Sequence, residues 1–120
     1  MSSYGYVGKD LAAAFRTVRK NTIQVAEDIP ESKYDFVAAP EVRSVKRMLT
    51  HVAISTRFWE EIHKKKLTTL VGLNFMGLIE QFNMEENKPR SKAEIIELLR
   101  GEGEQFAAWL ETLLNSSPSL

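Results

Sequence analysis

The 120-residue sequence contains no cysteine. That absence removes disulfides, thiolate nucleophiles and Cys-rich zinc sites together, and it suits a cytoplasmic protein. An excess of either charge is also missing, with 16 Lys plus Arg against 16 Asp plus Glu. No overall field draws a polyanion, so nucleic acid is not an expected partner. No stretch approaches the roughly 20 apolar residues that span a bilayer, so no membrane partner is expected. Met1-Ser2-Ser3-Tyr4-Gly5-Tyr6 carries no basic region followed by an apolar one, as a signal peptide would. Strand-like alternation, internal repeats and low-complexity tracts are lacking as well. What remains is ordinary for a soluble globular chain: 43% hydrophobic and 27% charged residues, enough for one domain over 1–120 with one core.

The apolar spacing is helical. The first helix is expected from about Gly8 or Lys9 to Asp28, with Leu11, Phe15, Val18, Thr22, Val25 and Ile29 inward and Arg16, Arg19, Lys20 and Glu27 pointing elsewhere. Pro30 ends it. Residues 31–43 read as a connection, with Tyr34, Phe36 and Val37 as an apolar tether. A second helix is expected from Ser44, its N-cap, to about His63, burying Val45, Met48, Leu49, Val52, Thr56, Trp59 and Ile62. A shorter helix is expected from about Thr69 to Met84, weakened by Gly72 and Gly77. Glu85–Arg90 then reads as a polar loop. Ser91-Lys92-Ala93-Glu94 is a capping box that opens the last helix. Its buried stripe runs through Ile95, Leu98, Leu99, Phe106, Trp109, Leu110, Leu113 and Leu114, with Gly101 and Gly103 weakening the middle. Three long amphipathic helices and a shorter one predict an all-α, up-down helical bundle.

Few residues offer chemistry. His51 lies about 60° from Met48 and Val52 on a helical wheel, at the edge of the apolar face. It reads either as one ligand of a metal held between helices or as a partly buried histidine bonded to a neighbour. His63 lies about 120° further round and reads as a solvated helix-end group. Lys64-Lys65-Lys66 complements the helix C-terminus. Glu60 and Glu61 diverge, Glu85-Glu86 reads as a solvated loop pair, and Trp59 and Trp109 read as core anchors. No Glu-x-x-His pair exists, which argues against a ferritin-type di-iron centre. Gly101-Glu102-Gly103 follows no strand and is not a phosphate loop. The Ser and Thr residues have no evident His–Asp partner set.

The stretches Ile29-Pro30-Glu31-Ser32-Lys33-Tyr34-Asp35-Phe36 and Ser44-Val45-Lys46-Arg47-Met48-Leu49-Thr50-His51-Val52-Ala53 resemble the DinB-like superfamily of damage-inducible and thiol-transferase proteins, and the likeness runs over essentially the whole chain. The resemblance implies a four-helix bundle with a long crossover, often a homodimer. It also implies a divalent metal of nickel or zinc type held by three histidines, one on the second helix and two in a His-x-x-x-His on the fourth. His51 matches the first, and nothing in the sequence matches the other two. The expectation is therefore a chain that carries the first three bundle helices, either truncated or short by nature.

Two functions stand side by side at this stage. One is a metal-dependent transferase or hydrolase acting on a thiol or other small molecule, with an incomplete site in this chain. The other is a non-catalytic self-association or partner-binding module in which His51 is structural. Fold analogy alone does not choose between them.

Overall fold

A computed structural model describes residues 4–64 and 75–113. Helix α1 spans Tyr4–Asp28, a 3-10 turn follows at Glu31–Lys33, then α2 at Val45–Ile54, α3 at Thr56–Lys64, α4 at Phe75–Asn87 and α5 at Lys92–Leu113. The described residues contain no strand. Taking α2 and α3 as one broken rod gives the expected three long helices and one shorter. Helix α5 packs against both α1 and α2, and α4 packs against α2. The core sits where α1, α2 and α5 meet, around Ala26, Tyr34, Leu49, Ala53, Ile54, Ile95 and Leu99.

The caps follow the sequence closely. Ser44 Oγ accepts the Arg47 N–H at 3.3 Å, satisfying one of the free donors of the first turn. The capping box of α5 closes in both directions: Glu94 N–H donates to Ser91 Oγ at 3.2 Å, and Ser91 N–H donates to the Glu94 carboxylate at 2.9 Å. The loop before α2 is equally ordered. Val45 N–H donates to Phe36 O and Lys46 N–H to Tyr34 O, while the Tyr34 hydroxyl donates to Ala26 O at the end of α1. Tyr34 is thus a buried tether as expected, whereas Phe36 and Val37 are exposed.

Several boundaries and faces differ from expectation. Helix α1 begins at Tyr4, before Gly8, since nothing in Gly5-Tyr6-Val7 breaks it. Its inward face is shifted by one residue. Ala12, Arg19 and Ala26 are buried, while Leu11, Val18 and Val25 are 48%, 61% and 53% exposed. Of the expected inward set, Phe15, Thr22 and Ile29 are half-buried and Ile29 packs on the core, while Ala12, Arg19 and Ala26 take the fully buried positions in place of Leu11, Val18 and Val25. The second helix is not continuous: Ser55 interrupts it, its hydroxyl turned back onto Val52 O at 3.0 Å. Met48 and Trp59 are exposed, so Trp59 is no core anchor, and Trp109 is half-buried against Phe106.

The expected start of the shorter helix near Thr69 lies outside the described residues. Its end extends to Asn87, so Glu85 and Glu86 are helical rather than in a loop. Gly103, expected to weaken α5, is buried where α1 crosses. A Cβ there would stand 2.7 Å from Arg19 Cγ, so only glycine lets the two helices approach.

Candidate functional site

Helix α2 presents Arg47, His51 and Ser55 one turn apart, and i, i+4 residues share a helix face. That face meets α4, and from α4 comes Glu86. Its side chain is almost wholly buried, the residue 2% exposed. Glu86 Oε1 accepts from Arg43 Nε at 2.7 Å and from Arg47 at 3.2 Å, and Oε2 lies 2.6 Å from His51 Nδ1. Arg43, just before the N-cap of α2, and Arg47 and His51 on α2 therefore converge on one carboxylate of α4. This corrects the sequence reading of Glu85-Glu86 as a solvated pair: Glu85 takes Lys88 and Arg90, and Glu86 turns inward.

Burial works against the charge on Glu86, but the bonds from Arg43 and His51 outweigh it and hold the carboxyl below its ordinary value. An ionised carboxylate can only accept, so His51 Nδ1 carries the proton and donates it. In the neutral ring this leaves Nε2 as the lone-pair acceptor. Donors exceed acceptors at this point, and Arg47 Nε is buried with no acceptor among the described residues.

Beside the cluster, a cavity of about 250 Å³ opens between α2, α3 and α4. His51 and Ser55 supply its polar wall, and Phe58, Trp59, Leu78, Ile79 and Phe82 the apolar remainder. His51, Ser55, Phe58 and Trp59 follow one another at helical spacing, so α2 and α3 present them to the same cavity. A few polar groups in an apolar cleft are what a small-molecule site requires.

His63 lies elsewhere, exposed, with its ring edge-to-face on Trp109 at 5.3 Å. It does not join His51. Among the described residues no three His, Cys, Asp or Glu side chains gather in one place. Glu86, the carboxylate nearest His51, has both oxygens engaged, and two guanidiniums beside it would repel a cation. The donors present among the described residues do not fit a divalent metal, which needs three or more converging ligands.

Glu86 was the residue that sequence reasoning missed. Its faint signal was the ladder Arg43, Arg47, His51 at four-residue steps, a row of donors with no acceptor on its own helix. No helix among the described residues is long and apolar enough to cross a membrane. The family model of the DinB superfamily matches residues 14–117. The chain belongs to that superfamily. No curated protein and no solved structure matches it.

Proposed function

We propose that this member of the DinB superfamily binds a small, largely apolar molecule with a weakly acidic X–H group, a thiol for example, in the cavity beside His51. The observation that carries the reading is the Glu86–His51 bond, which leaves His51 Nε2 as acceptor in an apolar cleft. The X–H proton passes to Nε2, leaving the ligand as its anion and His51 as imidazolium with Nδ1–H still on Glu86. Arg43 and Arg47 favour that anion, since Glu86 alone does not balance their charge. The carboxylate orients the ring, as the third group does in other nucleophile–base pairs. The family's metal-dependent transfer chemistry is not used in this reading.

Trp59 reports on occupancy because it lines the cavity. Titration with 2-phenylethanethiol is expected to change Trp59 emission with saturation, and His51→Ala to weaken binding about tenfold or more. Ethylbenzene, which has the shape without the proton, is expected to bind equally weakly to both proteins. Equal affinity of the thiol for wild type and His51→Ala contradicts the reading.

Self-association is a second reading, favoured by α1. Leu11, Val18 and Val25 are exposed at seven-residue steps, and Ala14, Thr17 and Asn21 between them are exposed and uncharged. Seven-residue spacing is the seam of a paired helix. The stripe is symmetric about Val18, so an antiparallel second copy would set Leu11 opposite Val25. We propose a homodimer through this face. Sedimentation is expected to show a dimer that Val18→Glu converts to monomer, and a monomeric wild type at high concentration contradicts it.

A further inference from the structure

Among the described residues the buried cation is Arg19, only 6% exposed on α1. Its guanidinium donates to two backbone carbonyls, Leu99 O at 3.1 Å and Val52 O at 3.3 Å, and stacks over the Phe15 ring at 5.1 Å. Among the described residues it has no carboxylate partner. Glu102 acts on it only through space, and its own ion pair is with Arg57. A buried charge of this kind is costly unless something neutralises it.

Next to Arg19, between α1 and α5, a second cavity of about 240 Å³ is lined by four cations, Arg16, Arg19, Lys20 and Arg100, by one carboxylate, Glu104, and by Ile23 and Gly103. The glycine at 103 is part of the same construction. It lets the Arg19 stem cross α5 and leaves that wall of the cavity without a side chain. The surrounding carboxylates are already engaged. Glu104 and Glu111 bond Arg16, and Glu97 and Glu27 pair with Arg100. Arg19 and Lys20 are left over, one buried and one at the rim. Among the described residues these two cations have no carboxylate partner, and the rest of the cleft is Ile23, Gly103 and the ion-paired Arg16, Glu104 and Arg100.

We propose that this cleft binds a small organic dianion, a phosphate monoester, with the oxyanion between Arg19 and Lys20 and the organic part over Ile23. The site is separate from the His51 cavity and does not depend on the role given to His51. The cleft is larger than a phosphate group alone needs, so an ester fills it better than the inorganic ion. Guanidinium and ammonium groups complement phosphoryl oxygens well, and the partly buried setting limits screening by salt.

The test is calorimetric titration of the full chain with phenyl phosphate at low ionic strength, in wild type, Lys20→Ala and Lys33→Ala. Lys20 and Lys33 are both exposed, so neither variant threatens the fold. Saturable binding is expected, about tenfold weaker in Lys20→Ala and unchanged in Lys33→Ala. Inorganic phosphate is expected to bind more weakly than the ester, and benzyl alcohol not at all. Absence of saturable phenyl phosphate binding overturns the proposal. Equal losses in the two lysine variants overturn it too, since the effect would then be general surface charge. Inorganic phosphate as tight as the ester, or benzyl alcohol as tight as phenyl phosphate, overturns the assignment of a phosphate monoester.

Discussion

Glu86 shows how much can rest on one side chain that its own sequence neighbourhood does not distinguish. In sequence it is one of two adjacent glutamates before a proline-containing loop; in the fold it is the acceptor for Arg43, Arg47 and His51. Replacing it with Ala leaves three donors without an acceptor. The arginines keep about a third of their side chains exposed, so water takes up part of the loss. Glu86→Ala is expected to destabilise the protein by about 1–3 kcal/mol in denaturant unfolding. The pH dependence has a definite sign. The folded carboxyl sits below its ordinary value, so its stabilisation is complete above the unfolded value of 4.5 and is lost as pH falls through the folded value. Glu86→Gln is therefore expected to lose less stability than wild type on acidification below about pH 4.5. Parallel acid unfolding curves would contradict this.

The two glycines of α5 make a matched pair at the same scale. Nothing stands within 4 Å of a Cβ at Gly101, so Gly101→Ala is expected to stabilise the helix by roughly 0.5–1 kcal/mol. Gly103→Ala meets the Arg19 stem and is expected to destabilise, and thermal unfolding of the two variants side by side checks both signs.

Among elements, α5 was the most legible. Its capping box is a local pattern whose partners lie three residues apart, and local patterns survive folding unchanged. The α1 face was legible only in part, at Phe15, Thr22 and Ile29, for an equally physical reason. A period fixes the spacing of a stripe but not which of two stripes faces the core. Here alanines and an arginine stem pack against α5, while the larger Leu11, Val18 and Val25 face out. The break at Ser55 was not legible either, because serine is tolerated within a helix and only its back-bond to Val52 O marks the interruption. Removing the cap gives a simple check at this scale. Ser91→Ala is expected to lower stability by about 1 kcal/mol, less if water replaces the hydroxyl.

For the whole molecule, composition and helical period were sufficient to identify an all-α bundle, and the family match over 14–117 agrees. The candidate site was legible only as His51. Its partner Glu86 stands 35 residues away, and the far wall of its cavity comes from Leu78, Ile79 and Phe82 of α4. Long-range pairing of this sort is a property of the packed bundle, in which α4 meets α2 through Phe82 on the core as well as through the buried Glu86 carboxylate. The central claim is that Glu86 is ionised and fixes the His51 imidazole with its proton on Nδ1. The measurement that tests it most directly is nitrogen NMR of the His51 ring in the neutral form, in wild type and Glu86→Gln. The account predicts a predominantly Nδ1–H tautomer in wild type, with that preference weakened in the variant. A predominantly Nε2–H tautomer in wild type would contradict it, because Nε2 would then be a donor and could not accept a ligand proton.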